Sequence, residues 1–283
     1  MLIKNWRNLW EVKKMDLDKS ECLTLNCQSF SRKGIGKDHN EDCFLVNDMY
    51  SCFEEECRVD VSFNSWDLTI LAVCDGVSGG GNGQDSSKTT VNLLRHLYDN
   101  KNIIGQSEDF KRFLRRVEHE IQETNWKIYN LFAESGENMW GTTLALLIIF
   151  RNNGVVYNVG DSRIYRVRNK LLTQLTRDHT VAEYKRQMGF FNEDPYITET
   201  DKKTLYQYLG KKEEIEMYKY GPFALNKNDR FLICTDGISG TLGRKELLLE
   251  MDKNSKNIIE LLAEKSLRQG SQDDQTGIYI YTD

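Results

Sequence analysis

Two prolines in 283 residues leave no material for a proline-rich linker. No low-complexity stretch and no repeat of solenoid length divides the chain, so one domain is the economical reading. Long apolar runs are missing too. A membrane-crossing helix needs about 18 consecutive apolar residues, and the longest run here, Leu144 to Phe150, is strand-sized. The N-terminal Met1-Leu-Ile-Lys-Asn-Trp-Arg7 meets charge within a few residues and has no signal-peptide core. Histidine is scarce at four, and the seven cysteines include no Cys-x-x-Cys pair. Cys22 with Cys27 and Cys52 with Cys57 come nearest to a metal-binding spacing, yet no histidine cluster accompanies either pair. Reduced cysteines in a cytoplasmic protein are therefore expected, with Cys74 and Cys234 packed in the core. Positive charge is not in excess: 43 acidic residues against 38 basic ones give a net charge of −5. That argues against a nucleic-acid binder, which needs a basic face, and leaves room for an acidic cleft that holds cations.

What is present is ordinary for a globular chain, 39% hydrophobic and 29% charged, enough to bury a substantial core. The chain is organised around Leu68-Thr-Ile-Leu-Ala-Val-Cys-Asp-Gly-Val-Ser-Gly-Gly-Gly81. An apolar run of strand type stops at Asp75-Gly76, and a loop dense in glycine follows, where φ > 0 and close backbone approach are tolerated. A carboxylate on the lip of a buried strand can serve a metal or phosphate cradle; a plain Asp-Gly turn is the commoner use of this pattern.

In chain order, residues 1–20 form an N-terminal extension in which Trp6, Leu9, Trp10 and Val12 suggest a short amphipathic helix. It packs on the body, frays or meets a partner. Residues 21–283 form the main domain. Strands are expected at Leu23–Ser29 and Cys43–Asn47, joined by a polar connection that ends in Glu41 and Asp42. Adjacent strand residues face opposite ways, so these two acids should not ligate one ion alike. Residues 49–63, acidic at Glu54-Glu-Glu56, read as an irregular excursion or hairpin, and Trp66–Cys74 as a strand. Apolar positions at intervals of three and four predict helices over 84–99 and 107–133, the second roughly 40 Å long. Strands follow at 142–150, 155–159, 163–168 and 171–175, the last two a hairpin around Asn169-Lys170, so an antiparallel meander is expected. Residues 181 to about 210 read as a mobile, flap-like excursion. A strand at Arg230–Cys234 ends in Asp236-Gly237, repeating the Asp75-Gly76 pattern. Helices at 245–251 and 258–267 precede a last strand, Gly277–Tyr281, entered through Asp273 and Asp274.

Glu41, Asp42, Asp75, Asp161, Asp236, Asp273 and Asp274 all fall at strand ends or turns. Each could be a turn residue. If the strands are neighbours, however, unpaired carboxylates repel one another and are costly to desolvate, and a divalent cation is the natural remedy. All-oxygen ligation favours Mg²⁺ or Mn²⁺ over zinc.

Read in order, Lys37-Asp-His-Asn-Glu-Asp42, Asp75-Gly-Val-Ser-Gly79 with Gly83 and Ser87, Gly141-Thr-Thr143, Gly160-Asp-Ser-Arg163, Leu175-Thr-Arg-Asp-His-Thr180, Leu209-Gly210, Cys234-Thr-Asp-Gly237 and Asp273-Asp-Gln-Thr276 resemble the motifs of the metal-dependent protein Ser/Thr phosphatases of the PP2C type, in a bacterial-like form. The resemblance covers residues 24 to 282 and implies an α+β fold, an αββα four-layer sandwich of two mainly antiparallel β-sheets flanked by helices. It implies hydrolysis of phosphoserine and phosphothreonine by a water activated at two Mn²⁺ or Mg²⁺ ions. Asp75 would bridge the ions, Glu41 and the Gly76 carbonyl completing one site and Asp236 and Asp273 the other. Asp42 would act on the metal-activated water, in some members as a ligand, and Asp161 would help hold a third, weaker ion. Lys37 would contact the substrate phosphate. Thr142, Thr143, Ser162 and Arg163 would be architecture around the site. Phosphoprotein substrates, and a Ser/Thr kinase with its targets, are the implied partners; no membrane or nucleic acid is expected, and the chain is expected to be a monomer.

Three departures from the family pattern stand out. Lys37 replaces an Arg and loses its two-pronged fit to phosphate. Val77 stands where some members carry a His. Asp274 replaces an Asn and is expected to add negative charge near the cations. His39 reads as an exposed loop residue and His179 as a support for the segment entering the flap. Two other readings stay open: a phosphoprotein-binding module of the same fold with weak or no turnover, and an enzyme for small phosphoesters.

Overall fold

The computed structural model describes residues 22–52, 55–78, 83–100, 107–133, 140–190, 196–253 and 257–283. The expected N-terminal helix and Gly79–Gly81 lie outside these residues. Two six-stranded antiparallel sheets face each other. The first has the order β11 (Leu171–Gln174), β10 (Arg163–Arg168), β13 (Arg230–Cys234), β14 (Gln275–Thr282), β1 (Thr24–Arg32), β4 (Glu56–Asn64). The second runs β12 (Tyr218–Ala224), β9 (Asn153–Val159), β8 (Leu144–Phe150), β5 (Thr69–Cys74), β2 (Cys43–Val46), β3 (Met49–Cys52).

Strand periodicity explains the layers. Along β8, Leu144, Leu146 and Ile148 pack with the helices α1 (Gly83–Asp99) and α2 (Ser107–Ala133), whereas Ala145, Leu147 and Ile149 pack between the sheets. Side chains alternate faces with a period of two, so a strand covered on both sides must be apolar throughout. The inter-sheet core adds Phe44, Leu71 and Val73 from the second sheet and Phe231, Ile233, Ile278 and Ile280 from the first. On the far side of the first sheet, α5 (Asp236–Ser239), α6 (Arg244–Met251) and α7 (Ile258–Arg268) bury Ile238, Leu247, Met251, Ile259 and Leu262 against Leu232 and Tyr279. These are the four layers of the expected sandwich.

Several details differ from the sequence reading. The supposed meander is divided: β8 and β9 form a hairpin in the second sheet, and β10 and β11 one in the first. Gly160, at φ 94°, turns the chain from one sheet to the other, so Gly160-Asp-Ser162 is a crossover. Within the stretch read as an irregular excursion or hairpin, Met49–Cys52 and Glu56–Asn64 are regular strands. β3 closes a hairpin on β2, and β4 pairs with β1 over nine residues. Its charged residues hid it, because an edge strand covered on one face exposes Glu56, Arg58 and Asp60 at alternate positions. β12 was not anticipated; its ladder with β9 is interrupted between Tyr220 and Phe223, where the Gly221–Pro222 peptide is cis. Cys43 and Cys52 face each other across β2 and β3 with Cα atoms 4.7 Å apart and form a disulfide, which corrects the expectation of reduced cysteines throughout. Cys74 and Cys234 are free and buried, as expected.

Candidate active site

The apolar strand β5, central in the second sheet, delivers Asp75 to the edge formed by the strand ends, where neighbouring threonines hold its backbone. Its N–H donates to Thr143 Oγ1 at 3.0 Å, and its carbonyl accepts from Thr143 N–H and Thr142 Oγ1, both at 2.9 Å. Thr143 Oγ1 is in turn 2.7 Å from Ser162 Oγ, which ties this edge to the crossover carrying Asp161. Beyond Asp75 the chain bends into a short strand, β6 (Gly76–Ser78), paired with β7 (Trp140–Thr142). Gly76 N–H donates to the Glu41 carbonyl at 3.2 Å, and Gly83 N–H, the first of α1, donates to Glu41 Oε1 at 3.0 Å. A carboxylate is favoured there by the positive end of the helix dipole.

The first sheet supplies the opposite wall. β13 ends at Cys234, Thr235 caps the next helix, and Asp236 opens the single turn of α5. A Cβ on Gly237 would fall 1.8 Å from the Asp274 carbonyl oxygen, so that position has room only for glycine, and the loop carrying Asp236 lies directly on the one carrying Asp273. A cleft of 480 Å³ results, lined by Lys37, Glu41, Asp75, Gly76, Asp161, Asp236 and Asp273 among others. Asp42 is not among the lining residues. It is buried behind them at 1% exposure, and Thr235 Oγ1 donates to its Oδ2 at 2.9 Å.

The cleft is electrostatically frustrated. Burial pushes the Asp75 carboxyl well above the usual carboxylate range, and Asp42, Asp236, Asp273 and Asp161 push it further. Burial raises Asp42 too, with Asp274 and Asp273 adding to it. Asp236 is raised by burial and by Asp273. Asp161 is pushed up to about 8 by burial and by Asp236 and Asp178, with Arg163 opposing. Arg163 itself is held by a bidentate pair with Asp178, the closest contact 2.6 Å. Two buried carboxylate oxygens, Asp42 Oδ1 and Asp236 Oδ1, have no hydrogen-bond partner.

Such a set suits a hard divalent cation: the donors are all oxygen, two buried acceptors lack a partner among the described residues, and burial with neighbouring charge raises Asp75, Asp161 and Asp236. As they stand, no three carboxylate, imidazole or thiolate side chains among the described residues converge on one point. The Lys37 ammonium rests on Asp273 and on Asp274.

One group escaped the sequence reading. The return arm of the 181–210 excursion brings Lys203, Thr204, Leu205 and Tyr208 to the cleft. That excursion contains α3 (Val181–Gln187) and α4 (Glu199–Lys203) and is tied down at its base. Val181 N–H donates to the Thr204 carbonyl at 2.8 Å, Tyr206 N–H to the His179 carbonyl at 2.9 Å, and Leu209 pairs with Thr142 in both directions. Pairings at such separations leave no periodic signal. Asp274, one of the acids singled out in the sequence, does not line the cleft; its carboxylate accepts Gly34 N–H, Glu41 N–H and the Lys37 ammonium. The negative charge that Asp274 brings near the site is paired locally with the Lys37 ammonium and two backbone N–H groups. His39 is exposed, and His179 is buried with Nδ1 accepting Gly160 N–H at 3.1 Å.

Known proteins resemble this chain in sequence and in fold. The serine/threonine phosphatase stp of Listeria welshimeri is 29% identical over 216 residues, which cover 75% of this chain and 83% of that one. The S. agalactiae serine/threonine phosphatase superposes with a TM-score of 0.75 at 19% identity, covering 92% of this chain and 100% of its own. The catalytic domain of the serine/threonine protein phosphatase PstP, in complex with two manganese ions, superposes with a TM-score of 0.68 at 23% identity over 92% of this chain and 99% of its own. The profile of the protein phosphatase 2C family matches residues 56–271, most of the chain. With the fold, the ordered motifs and this match in agreement, the chain belongs to the protein phosphatase 2C family and is a protein phosphatase.

Proposed function

We propose that this protein is a metal-dependent protein serine/threonine phosphatase that hydrolyses phosphoserine and phosphothreonine at a dinuclear Mn²⁺ or Mg²⁺ centre. The observation that carries the reading is the meeting of carboxylates from both sheets in one cleft, where burial and mutual repulsion raise Asp75, Asp161 and Asp236. Bound divalent ions supply an acidified water and positive charge opposite the phosphoryl oxygens.

The chain does the holding and orienting. Asp75, central among the acids, would be shared between two ions, with Glu41 and the Gly76 carbonyl on one side and Asp236 and Asp273 on the other. Asp161 would hold a third, weaker ion. Asp42 Oδ1, buried without a hydrogen-bond partner, is an acceptor that can orient the attacking water. Lys37 places an ammonium on the cleft wall for the phosphate. No buried cysteine is required: burial pushes the thiols of Cys74 and Cys234 up, which keeps them un-ionised and poor nucleophiles. Phosphoproteins are the proposed substrates, and a Ser/Thr kinase and its targets the proposed partners.

The test is hydrolysis of p-nitrophenyl phosphate with Mn²⁺, together with calorimetric titration of Mn²⁺. Asp75→Ala and Asp236→Ala should each abolish turnover and weaken Mn²⁺ binding. Full activity in either variant refutes the metal mechanism. Wild-type protein that binds Mn²⁺ and phosphopeptide without turnover would be the binding module instead.

A further inference from the structure

We infer that Asp274 is a positioning residue for phosphate recognition, acting through Lys37; the inference rests on the phosphatase reading above. The Asp274 side chain is 1% exposed and the Lys37 side chain 32%. Three donors meet that one carboxylate, all from the connection between β1 and β2. Oδ1 accepts Gly34 N–H at 2.7 Å, and Oδ2 accepts Glu41 N–H at 2.9 Å and Lys37 Nζ at 3.1 Å. Residues 34, 37 and 41 are the start, middle and end of one loop, so a single buried side chain gathers the loop into a ring. Backbone packing points the same way. A Cβ on Gly34 would fall 2.4 Å from the Gln272 carbonyl oxygen and 2.9 Å from the Asp274 nitrogen, so the loop rests directly on the 272–274 segment.

The chemistry calls for a carboxylate. An ammonium is a point charge on a flexible four-carbon stem, and without an anchor it samples many directions. Lys37 has two anchors here, Asp273 and Asp274. Asp273 is wanted for the cations, whereas Asp274 faces the loop and holds it through Gly34 N–H, Glu41 N–H and the ammonium. When Asp273 is otherwise engaged, Asp274 alone keeps the ammonium on the cleft wall. An amide at position 274 would offer one acceptor oxygen and set an NH₂ group against the remaining donors. Asp274 thus converts a flexible lysine into a fixed positive charge, and its own charge serves orientation rather than ligation.

The test is a double-mutant cycle of Lys37→Ala, Asp274→Asn and the pair, read as inhibition by inorganic phosphate and as KM and kcat for p-nitrophenyl phosphate. Loss of one charge-assisted contact corresponds to roughly tenfold or more in binding. Each single variant should weaken phosphate inhibition and raise KM by about that factor, and the double variant should be no worse than Lys37→Ala. Additive losses overturn the proposal, because Asp274 would then act on Glu41 or on the fold. A second measurement needs no substitution at 274. With Mg²⁺ bound, the Lys37 ammonium, assigned by its loss in Lys37→Arg, should give a persistent ¹⁵N-coupled proton signal that shifts on adding phosphate. A Lys37 ammonium averaged like the exposed lysines overturns the proposal. Wild-type protein inert toward p-nitrophenyl phosphate would overturn the phosphatase reading instead, leaving the ammonium signal to report on Asp274 by itself.

Discussion

Gly76 and Gly83 press their backbones together: a Cβ on Gly76 would fall 2.5 Å from the Gly83 carbonyl carbon, and one on Gly83 2.6 Å from that of Gly76. This contact brings the first N–H of α1 to Glu41 and seats the helix beside Asp75. Any side chain there must move the helix or the strand end. Gly83→Ala should therefore lower Mn²⁺-dependent turnover by at least about tenfold and cost about 1–3 kcal/mol of stability, the usual range for overpacking. Steady-state kinetics and a thermal melt check both. Wild-type values in both would show that the backbones yield.

His179 should impose a pH dependence on stability. Burial is the main reason its imidazole is lowered to about 4, with Arg177 adding and Asp178 opposing. Unfolded histidine titrates near 6.5. Between these values the unfolded chain binds a proton that the folded one refuses, so stability is lost as pH falls from about 6.5 toward 4 and is flat above. The contribution approaches roughly 3 kcal/mol at the acid end. Urea midpoints for the wild type and His179→Asn at pH 7.5 and 5 should differ, with the variant falling less.

Asp75→Asn should separate stability from activity. In the absence of metal, the partly buried Asp75 carboxyl is raised by burial and by Asp42, Asp236, Asp273 and Asp161. A raised carboxyl means that the metal-free fold loses stability as pH climbs above the unfolded value, since the folded form must give up a proton it prefers to keep. Removing that charge should raise the melting temperature in EDTA at pH 8 by roughly 2–4 °C and abolish turnover. The stabilisation that Mn²⁺ confers on the wild type should shrink or vanish in the variant.

The Cys43–Cys52 pair makes a simple prediction about thiols. Of the seven cysteines, five are free, so the denatured protein should react with five equivalents of thiol reagent without reductant and with seven after reduction. Seven before reduction refutes the pairing. Replacing Cys52 by Ser should cost about 2–3 kcal/mol, the loop-closure value for a bridge of this separation.

The elements most legible in the sequence were those whose environment is uniform along their length. α2 buries one stripe at helical spacing, and Ser107–Ala133 coincides with the range expected from periodicity. β8 is apolar on both faces and was recognised by composition. β4 and β12 were missed because each is an edge strand with only partial cover, and partial cover leaves a mixed pattern. Ordered motifs drew attention to Asp75, Asp236 and Asp273 by number. That Asp274 faces a loop more than 230 residues earlier in the chain could not be read from spacing.

The sequence alone determined the alternation that makes two doubly covered sheets, the glycines that let Asp75 and Asp236 sit at strand ends, and the family to which those motifs belong. Local sterics and burial act within a few residues, so they are written in local sequence. Tertiary structure decided which charges meet. It brought Lys203 and Tyr208 to the cleft, buried Asp42 behind it, paired Lys37 with Asp274 and joined Cys43 to Cys52. These outcomes depend on strand order and on distances between remote segments, and electrostatic interaction follows distance in space, whatever the separation along the chain.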